Sequence, residues 1–248
     1  MRRLWPDPAD VDDVSALVAA EARPPLPDRP WLLVNMVASL DGAIEVDGRS
    51  GALAGPADKE VFFALRAVAD VVLAGAGTVR AEGYGPPRAS AERRALRRAR
   101  GQAEVPRLGI VTRSLDLDLD APLFTEAEQR PLIFTCESSP AERRRAAADR
   151  ADVVVAGEGS VDLAAALATL AGTVGVITCE GGPRLNADLT AADLVDEWDL
   201  TISPLLVGGE GHRASRGLGV DPRSYRIDRL LEGDGLLLGR WLRAPRLA

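Results

Sequence analysis

One short segment of the chain has the composition of a turn that binds a phosphorylated ligand. An apolar run ends at Thr178, and Glu180, Gly181, Gly182 and Pro183 follow it. Glycine lets a phosphate approach the backbone closely, and proline fits the first turn of a helix, whose free N–H groups attract anions. Because open α/β sheets bind ligands at the carboxyl ends of their strands, Glu180 is a candidate site residue. The alternative is an ordinary strand-to-helix turn in which the glycines serve geometry alone.

Three further polar segments follow predicted strands, and we expect them at the same edge of the sheet. They are residues 38–51, residues 75–80 and the tripeptide Thr112, Arg113 and Ser114. An arginine between two hydroxyls suits a phosphate monoester, because charged donors make the stronger hydrogen bonds. Taken alone, each segment is equally compatible with a turn, a helix entry or a surface charge. The first strand-to-helix turn lacks a Gly-x-Gly-x-x-Gly fingerprint, which disfavours a standard Rossmann domain.

The chain is poor in nucleophiles and metal ligands. Its one histidine, His212, lies in a polar loop, and no Gly-x-Ser-x-Gly elbow is present. Cys136 and Cys179 each lie in an apolar run, and two such cysteines form neither a disulfide framework nor a metal set. We therefore expect no metal site and a reaction that a bound cofactor performs.

The composition is that of a soluble globular protein. The chain has 248 residues, of which 46% are hydrophobic and 27% charged, and its net charge of -7 argues against a nucleic-acid-binding surface. No apolar stretch approaches the ~20 residues that a membrane span needs, and no apolar run follows the N-terminal arginines. These features predict a cytoplasmic protein that binds neither nucleic acid nor membrane.

Apolar runs of strand length alternate with amphipathic segments of helix length from Trp31 onward, as in an α/β protein with a mainly parallel sheet. The predicted strands are 31–39, 70–75, 107–112, 131–136, 152–156, 174–179 and 197–207. The predicted helices are 56–68, 90–101, 140–149, 160–170 and 184–193. Two late runs, 224–231 and 236–243, are separated by an Asp-Gly pair, which indicates an antiparallel hairpin.

The two ends of the chain differ in pattern. Residues 1–29 are predicted to form an N-terminal arm, with a short helix at 10–20 and then an extended proline-rich linker. Residues 30–248 are predicted to form a single domain.

Six segments in a fixed order resemble the pyrimidine reductase domain of riboflavin biosynthesis, over nearly all of residues 30–243. They are Ala-Ser-Leu-Asp-Gly at 38–42, Ser-Gly at 50–51 with Gly-Pro-Ala-Asp at 55–58, Leu-Arg-Ala-Val-Ala-Asp at 65–70, Gly-Ala-Gly-Thr-Val at 75–79, Glu-Gly-Gly at 180–182, and Leu-Val-Asp-Glu at 194–197 with Pro-Leu-Leu-Val-Gly-Gly at 204–209. The resemblance implies a three-layer fold like that of dihydrofolate reductase. In that fold a mostly parallel sheet has helices on both faces and ends in an antiparallel C-terminal hairpin.

The resemblance also implies an activity, a cofactor and a set of site residues. The activity is NADPH-dependent reduction of the ribosylamino group of 5-amino-6-(5-phosphoribosylamino)uracil at C1′, which gives the ribitylamino product. The substrate is expected at Asn35, Ser50 and Asp58, with Glu180 and Asp58 as the catalytic acids. The implied cofactor positions are Thr78 and Val79, then Thr112, Arg113 and Ser114 at the adenosine 2′-phosphate, Gly181 and Gly182 at the pyrophosphate, and Gly208 and Gly209.

The chain departs from the family pattern in two places, and the first leaves the substrate open. Residues 80–84 read Arg-Ala-Glu-Gly-Tyr, where the family usually continues Leu-Ala-Asp-Asp-Pro. No segment matches the zinc deaminase domain that is often fused N-terminally, so we expect this chain not to perform the preceding step. Because of the first departure, a pterin-like or other conjugated imine is an alternative substrate. A non-catalytic nucleotide-binding protein is an alternative of a different class, although such a protein has no need of Asn35, Asp58 and Glu180.

A homodimer is expected as well. Residues 194–198 and Trp241 place aliphatic and aromatic groups on late strands, which we expect near an edge of the sheet that needs cover. The family resemblance implies the same assembly.

Overall fold

The computed structural model describes residues 1–217 and 222–245. Its strands are β1 (Arg2–Trp5), β2 (Ala9–Asp10), β3 (Trp31–Ala38), β4 (Val71–Gly75), β5 (Arg107–Val111), β6 (Leu132–Thr135), β7 (Asp152–Val155), β8 (Val176–Cys179), β9 (Glu197–Ile202), β10 (Tyr225–Gly233) and β11 (Leu236–Arg243). Its helices are α1 (Val14–Ala20), α2 (Pro56–Val68), α3 (Ala76–Ala81), α4 (Ala91–Ala99), α5 (Pro122–Thr125), α6 (Ala141–Arg150), α7 (Leu163–Ala168) and α8 (Pro183–Ala191).

The chain divides into two compact units, which we name by their place in the sequence. The terminal unit comprises Met1–Ala22, Leu32–Leu65 and Cys179–Ala248. The middle unit comprises Arg23–Trp31 and Arg66–Thr178.

The middle unit is built on strands in the order β8, β4, β5, β6 and β7. The pairs β4–β5, β5–β6 and β6–β7 are parallel. Val72, Ile110 and Ile133 are fully buried and pack in one core with Phe124 from α5. Apolar strands without alternation are typical of parallel sheets covered on both faces. The predicted strands of this unit are confirmed to within two residues at each end.

The terminal unit contains strands in the order β2, β1, β10, β11, β9 and β3. β3 runs parallel to β9, whereas β11, β10, β1 and β2 are paired antiparallel. The β10–β11 hairpin turns at Asp234 and Gly235, whose φ angles of 53° and 78° are the left-handed values that a two-residue turn needs. The predicted antiparallel C-terminal hairpin is therefore confirmed.

Two strand predictions differ from the structure. The predicted strand 197–207 is too long, because β9 ends at Ile202 and Pro204 cannot donate a hydrogen bond to a ladder. Strand β1 was not predicted, since four residues with two arginines give no apolar alternation; its register is set by pairing with Leu231 and Glu232 of β10.

The helix predicted at 56–68 is confirmed residue for residue as α2. Carbonyl groups at its end are bound by Arg97 of α4, which donates through Nη1 to Arg66 at 3.1 Å and to Ala67 at 3.2 Å. Burial lowers the pKa of this guanidinium to about 10, so it remains charged at neutral pH. No helix in residues 1–217 or 222–245 is long and apolar enough to cross a membrane.

Candidate active site

The segment after β8 forms the predicted strand-to-helix turn. β8 is fully buried and ends at Cys179, and α8 begins at Pro183, one residue earlier than predicted. Gly182 occupies the cap position without a side-chain acceptor, so the first N–H groups of α8 are free of a capping side chain. Glu180 is only 9% exposed. The turn therefore presents backbone donors next to a nearly buried acid.

The first glycine of this turn is required by its backbone conformation. Gly181 has a φ of 91°, a left-handed value that side chains rarely adopt, and the Gly181–Gly182 peptide bond is cis. A Cβ at Gly181 would lie 3.4 Å from Sδ of Met36 on β3. The left-handed φ of Gly181 is therefore the feature of this turn that favours glycine.

Asp58 lies in the first turn of α2 and faces β9. The Thr201 hydroxyl donates a hydrogen bond to its carboxylate, and burial raises the pKa of Asp58 above the ordinary value. Asn35 of β3 pairs in register with Asp199, and Val37 pairs with Thr201. Because residues two apart on a strand share a face, the structure brings Asn35 and Asp58 to the same face of the β3–β9 pair.

Buried ion pairs position this face. Arg229 of β10 donates to Asp199 at 3.3 Å and to Glu21 at 2.6 Å. Arg240 of β11 donates through Nε and Nη2 to Glu197 at 2.9 and 3.1 Å. Burial is the largest single effect on the pKa of Arg240 and would lower it, but the hydrogen bonds with Glu197 and the charges of Glu197, Glu21 and Asp199 together raise it. Sequence patterns did not reveal this cluster, because its members lie far apart in the chain.

Gly208 and Gly209 lie in a loop that Asp41 holds. The Asp41 carboxylate accepts hydrogen bonds from the Ser39 hydroxyl and from the backbone N–H groups of Val207 and Gly208, the latter at 3.2 and 2.6 Å. The Ser39 bond, followed by those from Gly208 and Val207, lowers the pKa of Asp41 to about 2. Asp41 is thus ionised at any working pH and fixes one end of the loop 205–212, which we name the glycine loop.

The other end of the glycine loop is tied to the segment that leads to Ser50. The backbone N–H of Ile44 donates to the carbonyl of His212 at 3.2 Å, and His212 Nδ1 lies 3.0 Å from a carboxylate oxygen of Glu45. Ser50 itself is half-buried, and its carbonyl accepts the N–H of Leu53 at 2.9 Å. The sole histidine therefore has a positioning role in this loop.

The tripeptide predicted to clamp a phosphate lies after β5 in the middle unit. Arg113 and Ser114 are exposed, whereas Thr112 is buried and its Oγ1 accepts the N–H of Leu115 at 3.0 Å. Thr112 thereby shapes the turn that presents Arg113. Arg113 has no hydrogen-bond or ion-pair partner among the described residues, so its guanidinium is available to a ligand.

Thr78 and Val79 lie in the short helix α3, which directly follows β4. The Val79 side chain is buried in the core of the middle unit, and Thr78 is half-buried. Gly77 is exposed, with open space where a Cβ would stand. Backbone groups at Gly77 and Thr78 are consequently the part of this helix that a ligand can approach.

Each unit contains groups whose chemistry suits a phosphate. Gly208 and Gly209 have φ angles of 69° and 70°, with open space where each Cβ would stand, so their backbone can be approached closely. The exposed Arg113 and Ser114 supply the charged and hydroxyl donors that a phosphate monoester requires.

Comparison with known proteins finds one matching family model and two similar enzymes of the same name. The family model described as the RibD C-terminal domain matches residues 30–231. The 2,5-diamino-6-ribosylamino-4(3H)-pyrimidinone 5′-phosphate reductase of Archaeoglobus fulgidus is 33% identical over 183 residues, which cover 73% of this chain and 83% of that protein. The enzyme of the same name from Methanothermobacter thermautotrophicus is 33% identical over 202 residues, which cover 80% of this chain and 89% of that protein.

A solved structure shows the same fold. It is a pyrimidine reductase-like protein from Corynebacterium diphtheriae, with a TM-score of 0.81 and 23% identity, and the match covers 94% of this chain and 99% of that one.

Proposed function

Because this chain belongs to the RibD C-terminal domain family, we propose that it is an NADPH-dependent reductase of a ribosylaminopyrimidine 5′-phosphate. The product is the corresponding ribitylaminopyrimidine. The observation that carries the proposal is that the family match, 30–231, contains the polar groups of the terminal unit, Asn35, Asp58 and Glu180.

Two forms of the substrate differ only in the pyrimidine ring. One is 5-amino-6-(5-phosphoribosylamino)uracil, and the other is its 2,5-diamino-pyrimidinone counterpart. Two relatives at 33% identity are named for the diamino form, which favours that form here. Both forms carry the same ribosylamino group, so the chemistry at C1′ is the same.

The terminal unit supplies the substrate residues in this proposal. Asn35 and Asp58 bind the sugar chain, with the Asp58 carboxyl held by Thr201. Ser50 binds the substrate from the loop before α2. Glu180 lies beside the reacting carbon and orients, or gives a proton to, the nitrogen of the group that is reduced.

The glycine turns and the tripeptide bind the cofactor in this proposal. Its nicotinamide, when bound, supplies the hydride that adds to C1′ of the open-chain imine, while a proton adds to the nitrogen. The groups assigned to it are Gly181 and Gly182 at the pyrophosphate, Gly208 and Gly209, Thr78 and Val79, and Thr112, Arg113 and Ser114 at the 2′-phosphate.

We also propose that the chain forms a homodimer, but on a different surface from the one that the sequence indicated. Leu194 and Val195 are buried within the chain itself and need no partner. Leu40, Leu205 and Leu206 are instead 60%, 44% and 77% exposed, and the Leu40 N–H donates to the Leu205 carbonyl at 2.9 Å. Exposed apolar groups held together in this way are typical of interaction surfaces.

Incubation of the purified chain with NADPH and each pyrimidine form tests the proposed function. We expect NADPH oxidation with a ribosylaminopyrimidine 5′-phosphate, faster with the diamino form, and none with dihydropterin substrates. Turnover of a pterin alone would favour the alternative substrate. Tight NADPH binding without oxidation by any of these compounds would indicate a nucleotide-binding protein.

A further inference from the structure

Two arginines from distant parts of the middle unit bind the segment 112–116. Arg80, in the last turn of α3, donates through Nη1 to the carbonyl oxygen of Asp116 at 2.7 Å. Arg143, in the first turn of α6, donates through Nη1 to the carbonyl oxygen of Ser114 at 3.1 Å. Both side chains are exposed. Sequence patterns gave no reason to group them with Arg113.

These contacts gather three guanidinium groups around one short segment. Arg80 and Arg143 each use one nitrogen on a backbone carbonyl, and a guanidinium has five N–H donors, so further donors remain on both. Asp116 lies nearby, with Oδ1 3.9 Å from Nη1 of Arg143 and its side chain 68% exposed. The three guanidinium groups and this carboxylate together carry a net positive charge.

The backbone of the same segment is fixed and also offers donors. Oγ1 of Thr112 accepts from Leu115 N at 3.0 Å, and Oγ of Ser114 accepts from Asp116 N at 3.3 Å. Within residues 1–217 and 222–245, no acceptor is bonded to the backbone N–H of Arg113 or of Ser114. Fixed N–H groups beside guanidinium groups are a combination that binds phosphate.

We propose that Arg80, Arg113 and Arg143 form one three-arginine site for a phosphate monoester, and that the ligand is the adenosine 2′-phosphate of the cofactor. The identity of the ligand rests on the proposed function. The proposed function assigns Thr112, Arg113 and Ser114 to this phosphate, and Arg80 and Arg143 bind carbonyl oxygens of the same segment. Arg80, where the chain departs from the usual family sequence, thereby acquires a role in cofactor selection.

Titration calorimetry with adenosine 2′,5′-bisphosphate tests the site without turnover. Arg80→Ala and Arg143→Ala should each weaken binding of this compound by about tenfold, the loss expected for one charged hydrogen bond. Binding of ADP, which lacks the 2′-phosphate, should not change. Arg145→Ala is the matched control, since Arg145 is an exposed arginine on the same helix and has no contact with 112–116.

Three results would overturn the proposal. Unchanged bisphosphate binding in both variants would show that Arg113 acts without them. An equal loss in the Arg145→Ala variant would show a general charge effect. Loss of ribose 5-phosphate binding, with bisphosphate binding retained, would assign the arginines to the substrate phosphate. The proposed function fails separately, if the wild-type chain binds the bisphosphate through these arginines but reduces no ribosylaminopyrimidine.

Discussion

Asp58 is a half-buried acid whose ionisation works against folding. Burial raises its pKa, and the Thr201 hydroxyl and the charge of Lys59 offset only part of that effect. A raised pKa in the folded chain means that stability is lost as the pH rises through that pKa. A carboxyl group kept at such a position is best explained by a role in binding or catalysis.

Asp58→Asn should separate stability from activity. The asparagine oxygen can still accept from Thr201, so the variant should melt no lower than the wild type at neutral pH. The melting temperature of the wild type should fall relative to that of the variant as the pH rises through the raised pKa of Asp58. Turnover should nevertheless fall at least about tenfold, or about 1.4 kcal/mol of transition-state stabilisation. Thermal melts across pH and steady-state assays measure the two effects.

The control for this substitution is Asp188→Asn. Asp188 also has a pKa raised by burial, but it lies on the exposed side of α8 and has no assigned role. It should turn over normally. An Asp58→Asn variant that melts lower and turns over like the wild type would show that Asp58 is structural.

Glu180→Gln should fold and bind NADPH as the wild type does. The amide keeps the size of the nearly buried side chain but can neither carry the charge nor give a proton, so we expect a loss of turnover of at least about tenfold. Calorimetry with NADPH and a turnover assay measure both properties. Normal turnover with a lowered melting temperature would indicate that Glu180 only supports the Gly181–Gly182 turn.

Arg113→Ala should change cofactor preference. Loss of one charged hydrogen bond to a 2′-phosphate weakens NADPH binding by about 10- to 150-fold, and NADH, which lacks that phosphate, should bind nearly as before. Dissociation constants for the two cofactors provide the measurement. An equal loss for both would remove Arg113 from the 2′-phosphate site.

At the level of single residues, the sequence indicated groups that directly follow strands and missed groups whose partners lie far away along the chain. The positions of Glu180 and Arg113 just after β8 and β5 could be predicted because each follows an apolar run; their roles stay predictions. The partners of Asp41 could not, since Gly208 lies 167 residues further along the chain. The contacts of Arg80 and Arg143 could not be predicted either, because both bind backbone carbonyl groups, which every residue type has.

Among the structural elements, the glycine loop is the one most clearly held from outside. Asp41 binds its start and the His212 carbonyl accepts the Ile44 N–H at its end. Because the pKa of Asp41 is lowered from 3.8 to about 2, its contribution to stability is present above pH 3.8 and is lost as the pH falls through about 2.

Asp41→Asn should loosen this loop. An amide accepts fewer hydrogen bonds than a carboxylate, so we expect faster amide exchange at 205–212 above pH 3.8 and a raised KM for NADPH, with kcat less affected. Hydrogen–deuterium exchange with peptide resolution and steady-state kinetics measure both. Asp47→Asn is the control, since Asp47 is exposed at a φ of 50°, which asparagine tolerates. Amide exchange at 205–212 equal to that of the Asp47→Asn control would show that Asp41 does not hold the loop.

The sequence predicted the helices and strands well where the spacing of apolar residues and the residues that start or stop an element agree. α2 starts with a proline and has one apolar stripe, and it was predicted residue for residue. The end of β9 was misjudged because an apolar run continues past Pro204 after the strand has ended. β1 was not predicted because a short charged segment becomes a strand only by pairing with its partner β10.

On the scale of the whole molecule, the proposed homodimer has a direct test. Sedimentation at micromolar concentration should give about twice the chain mass of 26.2 kDa. Leu206→Asp places a charge on the exposed apolar patch and should shift the protein toward the monomer. A wild-type chain that sediments only as a monomer would contradict the assembly.

The reaction proposed for this chain is transfer of a hydride from NADPH to C1′ of a ribosylaminopyrimidine 5′-phosphate. Turnover with NADPH that carries deuterium at both C4 positions of the nicotinamide, followed by mass spectrometry and NMR of the product, tests it most directly. We predict a ribitylamino product with one deuterium, at C1′. A product without deuterium, or with deuterium at another carbon, would contradict the claim.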